Sequence, residues 1–434
     1  MRVTGFPKND HSNGWYNILE EHPPACVWEG EGTADWAVIG GGFAGLAAAR
    51  RLGELRPGDR IVLLEAGRIG ENASGRNSGF IIDLPHALSR EQPEHDRRQI
   101  RINRQAIAWL GDLVEHHQIR CHWSRRGKVH VAARSRARRN LDVMQARLGD
   151  LGEDCERWDR GRLAAFLGTD SFADGLFTPG CVLMQPAALV TGLARTMPDN
   201  VEIFENSPVR EFHDGATKTL VTSTGRLTAP RIILAINGWT SAFGFLGRKL
   251  LTIHTFASLT RPLDDAEQKA LGGEGDWGTI PAFLGGTTMR YTRDKRLLIR
   301  LALRYRPDFT ITRRDLATVR RQHVHSLSRR FPMVPRVTFE HTWSGVMCMS
   351  RNSVPKCGTL SDGIWAAVCQ NGVGAAKGTI SGRAVAEMAA GEDTDLVADM
   401  AEFEDLQRFP PRFVTTPVMQ ARILGARLTA GREA

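Results

Sequence analysis

A buried-strand pattern running into a glycine-rich turn constrains this chain more than any other feature. Trp36-Ala-Val-Ile39 is an apolar run of strand length. Gly40-Gly-Gly-Phe-Ala-Gly45 follows as G-x-G-x-x-G at the head of an alanine-rich helical stretch, and Ile61-Val-Leu-Leu64 returns as a second apolar strand ending in Glu65. Strand, turn, helix and strand in that order define a parallel βαβ unit built to hold a dinucleotide. Gly40 permits the tight turn, Gly42 lets the backbone approach a pyrophosphate, and Gly45 lets the helix pack on the strand, so the phosphates meet the positive end of the helix dipole. Glu65 stands about 25 residues after Gly40, where a carboxylate accepts from ribose hydroxyls and repels a 2′-phosphate.

The next segment narrows the choice of dinucleotide. Ile69-Gly-Glu-Asn-Ala-Ser-Gly-Arg-Asn-Ser-Gly79 stays small and polar where a nicotinamide dehydrogenase returns to a helix. Ser74, Arg76, Asn77 and Ser78 lie around Gly75 and before Gly79, donors suited to the diphosphate and ribityl chain of a flavin; a solvated turn is the plainer reading of the same composition. Far downstream, Gly372-Val-Gly374 opens a last helical stretch, and backbone N–H groups at such a helix start can stabilise negative charge on a reduced flavin ring. Asn371 and Lys377 add a donor and a positive charge there, although a lysine in a first helical turn is more often simply solvated.

These residues resemble a family. Leu64-Glu-Ala-Gly-Arg-Ile-Gly70, Ala73-Ser-Gly-Arg-Asn-Ser-Gly79 and Gly14-Trp15-Tyr16 are similar to the flavin-dependent amine oxidases of the D-amino-acid oxidase superfamily, most of all to the gamma-glutamylputrescine oxidase branch. Gln185-Pro186, Ile232-Ile-Leu-Ala-Ile-Asn-Gly-Trp239, Leu259-Thr-Arg-Pro-Leu263, Tyr291-Thr-Arg-Asp-Lys-Arg-Leu-Leu298, Trp343-Ser-Gly345, Asn352, Pro355, Gly358 and Gly382 carry the likeness through nearly the whole chain. The resemblance implies an α/β fold in which a Rossmann-like FAD-binding domain interleaves with an α+β substrate domain built on an antiparallel sheet. It also implies FAD held by Phe43, Ala44, Ala66, Arg68, Val209, Asn237, Gly238 and Val373 besides the glycines, Glu65 and the polar loop. On this reading 1–33 is an N-terminal arm, 34–90, 165–250 and 341–395 form the FAD-binding domain, 91–164 and 251–340 the substrate and helical domain, and 396–434 a C-terminal segment.

Departures from the wider superfamily bear on the substrate. Its D-amino-acid and glycine oxidases grip the substrate carboxylate with an arginine whose place is taken here by Met347, and a second arginine is replaced by Gln370. An α-amino acid docked in that manner loses its bidentate partner, so a plain or N-substituted amine fits better. Arg300 stands where relatives often carry glycine; it either faces an anionic group remote from the amine or points to solvent. Cys348 falls near the position at which monomeric sarcosine oxidases attach flavin through sulfur, so noncovalent FAD is expected with Cys348 as the one candidate for covalent attachment. The lysine those oxidases place beside the flavin corresponds to Leu298, leaving Arg300 or Lys377 to assist O2 as the electron acceptor.

Composition sets the outer bounds. With 434 residues, 42% of them apolar, the chain can build more than one core. No stretch has the apolar length to span a bilayer, and the first thirty residues lack a signal-peptide core, so a cytoplasmic protein without a membrane partner is expected. Seven scattered cysteines with no C-x-x-C pair, and histidines at no ligand spacing, argue against a disulfide framework and a metal site. The net charge of +9 sits in arginine pairs at helical spacing with few aromatics, which excludes nucleic acid as the reading and leaves attraction of an anionic substrate. Periodicity predicts a helix over 100–117, strands at 129–132, 201–204, 209–212, 220–222 and 232–235, polar helices over 135–165, an antiparallel sheet across 251–305 and helices over 314–330. Three functions remain open: an FAD-dependent amine oxidase or dehydrogenase, a related enzyme acting on an amino or imino acid, and a flavin-binding tailoring protein with altered chemistry.

Overall fold

The computed structural model describes residues 1–434 except 86, 87, 89, 90 and 284, and without the side chain of Arg432. Two large sheets organise the chain. In the first, Ile364–Val368, Arg231–Leu234, Trp36–Ile39, Ile61–Leu64 and Val201–Phe204 run parallel in that spatial order, with Lys356–Ser361 antiparallel on the outer edge. Successive strand residues face opposite sides. Trp36, Val38, Ile61, Leu63 and Ile233 therefore pack with the helices Phe43–Leu55 and Gly374–Ala390. Ala37, Ile39, Val62, Leu64 and Ile232 pack instead against a four-stranded sheet that includes Lys218–Val221 and Gly225–Ala229. Burial on both faces is why these strands read as continuous apolar runs.

The second sheet has eight strands, in the order Phe339–Met349, Leu251–Thr260, Leu297–Tyr305, Thr288–Tyr291, Trp277–Pro281, Lys128–Ala132, Asp174–Thr178 and Glu156–Asp159. It is antiparallel except at one junction, where Thr279 pairs in parallel with Val129. The helix Arg313–Arg330 packs on the Leu297–Tyr305 side, with His323 buried between Ser258 Oγ (2.7 Å) and the Leu301 carbonyl (3.1 Å). Burial lowers the His323 pKa to about 4, so this histidine is a neutral structural link.

Several boundaries shift from the sequence reading. Asp174–Thr178 and Phe339–Met349 pair in the eight-stranded sheet, whereas divisions at 165 and 341 would place them in the dinucleotide-binding layer. Phe172 shows why: it belongs to the apolar core between that sheet and its helices. The helix expected over 100–117 runs Pro93–His116, since Pro93 at its start and Glu94 and Asp96 in its first turn are helix-initiating but polar, and so fall outside the apolar period. The strand expected at 209–212 is Glu211–His213, and a single helix fills the 314–330 region.

Candidate active site

One long cavity lies between the two sheets. Its lining runs from Gly40, Gly42 and Glu65 at one end to Arg300, Met347 and Gly372 at the other, a reach that takes in both the dinucleotide turn and the eight-stranded sheet. One end is made by the glycine turn. Gly40 has φ +105°, and a Cβ there would meet the Ala235 carbonyl oxygen at 2.8 Å. A Cβ on Gly42 would lie 2.6 Å from Ser74 Oγ, and one on Gly45 would lie 1.7 Å from the Gly40 carbonyl oxygen. The first two glycines line the cavity; Gly45 lies behind them as a packing contact. Gly42 caps the Phe43–Leu55 helix without a side chain, so the helix start faces the cavity, with the Phe43 N–H donating to Ser74 Oγ at 3.1 Å.

Glu65 closes this end. It accepts from the Gly41 N–H at 2.7 Å, the Gly67 N–H at 2.9 Å and Asn72 Nδ2 at 3.1 Å. Burial pushes its carboxyl above the usual range, and those donors pull it back. Phe43, Ala44, Ala66, Arg68 and Val209 also line the cavity, with Arg68 held by Glu205 at 3.4 Å. A glycine turn in the cavity wall, a helix start with no side-chain cap from its own Gly42 and an acid at the strand end fit an adenine dinucleotide.

The polar loop behaves differently from its reading as a set of phosphate donors. Arg76 lines the cavity, but its guanidinium turns away: Nε donates to the Glu71 carbonyl at 2.6 Å, Nη1 to the Ser344 carbonyl at 3.0 Å and Nη2 to Asp10 at 2.7 Å. It ties the N-terminal arm to the eight-stranded sheet, because a buried guanidinium must spend its donors on fixed acceptors. Asn77 organises its own turn, donating to the Ser74 carbonyl and accepting from the Gly79 N–H. Ser78 lines the cavity, whereas Gly75 packs on the Gly70 carbonyl and does not.

The other end is where chemistry on a substrate would occur. Gly372, at φ +83°, and Gly374 line it at the start of the Gly374–Ala390 helix; Val373 does not. Gln370 is buried there, with Nε2 lacking an acceptor among the described residues and Oε1 accepting from Ser381 Oγ at 3.4 Å. An orphaned donor in a cavity wall is a place for a ligand acceptor. Asn237 lines the wall and accepts from the Cys369 N–H at 2.9 Å, while Gly238 packs against Thr252 outside it.

Lys377, a candidate for the catalytic charge, lies outside the lining. It is 3% exposed and its ammonium donates to Gln99 of the Pro93–His116 helix; burial lowers its pKa to about 8. It is neither solvated nor aimed into the cavity, since the small residues Gly374, Ala375 and Gly378 occupy the cavity side of the helix.

Arg300 faces the cavity with Thr255, Thr288, Gly345, Val346, Met347 and Cys348. Its register partners are Ala257 and Thr288 on the two flanking strands. Its Nη2 lies 4.0 Å from Met347 Sδ, and among the described residues no carboxylate pairs with it. Burial lowers its pKa to about 10, which still leaves it charged near neutrality. Glu65, Arg68, Arg76 and Arg300 are the charged residues of the lining, and the first three belong to the dinucleotide end and the polar loop. Cys348 is buried with its thiol hydrogen-bonded to Cys369, an arrangement that raises its pKa well above the usual thiol value. Sequence reasoning gave no role to Phe6, Pro7 and Trp239, which also line the cavity; Trp239 stacks on Phe309 at 4.9 Å. An aromatic and a proline inside a polar arm were the available signal for the first two.

A doubly covered parallel sheet with a dinucleotide turn, joined through one cavity to a mostly antiparallel sheet, defines a two-layer flavoenzyme. The chain belongs to the FAD dependent oxidoreductase (DAO) family, whose profile matches residues 35–388. It is 28% identical over 412 residues to the probable oxidoreductase OrdL of Haemophilus influenzae, covering 91% of this chain and 92% of that protein. It is 24% identical over 397 residues to the gamma-glutamylputrescine oxidoreductase of Escherichia coli, covering 88% and 90%. Among solved structures, a glycine oxidase from Geobacillus kaustophilus superposes with a TM-score of 0.72 at 17% identity, over 86% of this chain and all of that one. The protein is therefore an FAD-dependent oxidoreductase, and among its described residues no helix is long and apolar enough to cross a membrane.

Proposed function

We propose that this enzyme oxidises the C–N bond of a small amine bearing a remote anionic group. The amine and O2 give an imine or iminium and H2O2, and water then hydrolyses the imine. FAD, when bound, supplies the two-electron acceptor for that oxidation. The observation that carries the reading is Arg300: a half-buried guanidinium with no acid partner among the described residues, lining a cavity whose adjoining wall is Met347, Val346 and Thr255. It binds and orients the anion, and the apolar wall of Met347 and Val346 disfavours an ammonium ion by desolvation, so the amine is held in its reactive neutral form. With Lys377 committed to Gln99, Arg300 is also the fixed charge that assists O2. The relatives named for gamma-glutamylputrescine and glycine oxidation support an amine as the reducing substrate.

A second reading has one observation in its favour. Arg300 Nη2 lies 4.0 Å from Met347 Sδ, the place where the superfamily's carboxylate-gripping arginine would stand, so Arg300 could hold an α-carboxylate there. An anaerobic panel separates the two. Bleaching of the flavin by amines with a distant carboxylate supports the first reading, bleaching only by α-amino or imino acids supports the second, and no bleaching by a broad panel overturns both. The FAD is held without a bond to Cys348, whose thiol is already engaged by Cys369; acid precipitation should leave the pellet colourless.

A further inference from the structure

The C-terminal helix Arg412–Ala430 carries five of the eight most exposed large apolar side chains among the described residues: Phe413, Val414, Val418, Leu424 and Leu428. Phe413 is 79% and Leu428 74% exposed. At 3.6 residues per turn the helix divides into two faces. Thr415, Met419, Ile423, Ala426 and Ala430 turn toward the protein, buried or half-buried. The opposite face is apolar across an arc of about 140°, made of Phe413, Leu424, Pro417, Leu428, Val414 and Val418, with Ala421 and Gly425 between them. Gln420 and then Arg427 flank one side of this arc, Thr429 and then Arg422 the other. From Leu406 to Arg432 the chain contains no aspartate or glutamate.

We propose that this helix seats the protein on an anionic lipid surface. An outward apolar arc flanked by uncharged polar residues and then by arginines is the pattern of a helix lying in the membrane plane with its apolar side among the acyl chains and its cations at the headgroups. A second copy of the chain fits poorly. Nineteen residues make a face of about 28 by 10 Å, far below the roughly 800 Å² per partner that a stable dimer buries. Two such helices would also bring arginines against arginines on molecules that each carry +9. The sequence reading of no membrane partner rested on the lack of a spanning segment; a helix on the surface needs none.

Vesicle flotation of the full-length holoprotein tests the proposal. At low salt the protein should float with phosphatidylcholine vesicles containing about 30% phosphatidylglycerol and stay behind with phosphatidylcholine alone. Phe413→Asp with Leu428→Asp should reduce flotation to background, and Arg422→Gln with Arg427→Gln should weaken it about 30-fold. These side chains are exposed, so FAD content and melting temperature should remain those of the wild type and serve as the folding control. Absence of flotation with anionic vesicles overturns the proposal, as does flotation that survives the double aspartate variant. A dimer in sedimentation velocity that Leu428→Asp splits, without flotation of the wild type, would assign the face to a second copy instead.

Discussion

At the scale of single residues, half-buried Arg300 on the eight-stranded sheet and buried Lys377 on the Gly374–Ala390 helix have different fates. Arg300 lines the cavity and has no acid partner among the described residues, so its charge is available to a ligand. Truncating one partner of a charge-assisted hydrogen bond costs about 1.5–3 kcal/mol, so Arg300→Ala should raise KM for an anionic amine about 10- to 100-fold. KM for the neutral amide of that amine should hardly change; equal increases in steady-state assays would remove Arg300 from substrate binding. With its pKa near 10, the anion selectivity should persist at neutral pH and decline as pH rises through about 10. Lys377 is committed to Gln99 instead. Its pKa falls from 10.5 in the free side chain to about 8 here, so between those values the unfolded chain holds a proton that the folded chain does not. Stability should therefore rise with pH across that window, and below pH 8 the buried ammonium costs on the order of 3 kcal/mol. Lys377→Met should be more stable than the wild type at pH 7 and should lose that rise in denaturant titrations; a wild-type and variant difference that is flat with pH contradicts the burial argument.

At the scale of elements, the N-terminal arm is a strap over the dinucleotide channel. Its start pairs with the Glu211–His213 strand region, where the Val3 N–H donates to the Arg210 carbonyl at 2.8 Å and the Phe212 N–H to the Met1 carbonyl at 2.9 Å. Gly5, Phe6 and Pro7 then line the cavity, and Asp10 is fixed by Arg76 at 2.7 Å. Opening the strap requires breaking that link, so Asp10→Ala should speed FAD release by about tenfold, equivalent to about 1.4 kcal/mol. The return of flavin fluorescence after dilution measures this; an unchanged rate would mean that the strap does not hold the cofactor. The glycine turn was legible in the sequence because its three glycines, the strand before it and Glu65 are local, and each answers a constraint of one βαβ unit. Arg76 and Lys377 were not, because the groups that capture them, Asp10 and Gln99, are brought by the fold from 66 and 278 residues away. Arg300 was half legible: its strand was read from alternation, but only the packing of two sheets decides which face meets the cavity.

At the scale of the whole molecule, the chain crosses between the two sheets repeatedly. Strands at Ile61–Leu64, Lys128–Ala132, Val201–Phe204, Leu251–Thr260 and Lys356–Ser361 alternate between the dinucleotide-binding sheet and the eight-stranded one. Neither sheet is therefore a contiguous stretch that could fold as a separate unit, and the cavity draws its walls from both, with Gly40, Glu65 and Gly372 on one side and Thr255, Arg300 and Met347 on the other. A ligand filling that cavity binds only the folded state and adds RT ln(1 + [L]/Kd) to its stability. Each tenfold excess of free FAD over its Kd thus contributes about 1.4 kcal/mol, which for a chain of this size shifts the midpoint by about 2 °C. The holoenzyme should melt in one cooperative transition, with the loss of secondary structure by circular dichroism and the release of fluorescent flavin sharing a midpoint that climbs with added FAD. Flavin release well below the loss of secondary structure, at a temperature indifferent to FAD concentration, would show that the two sheets respond separately and that the cavity is not the joint that couples them.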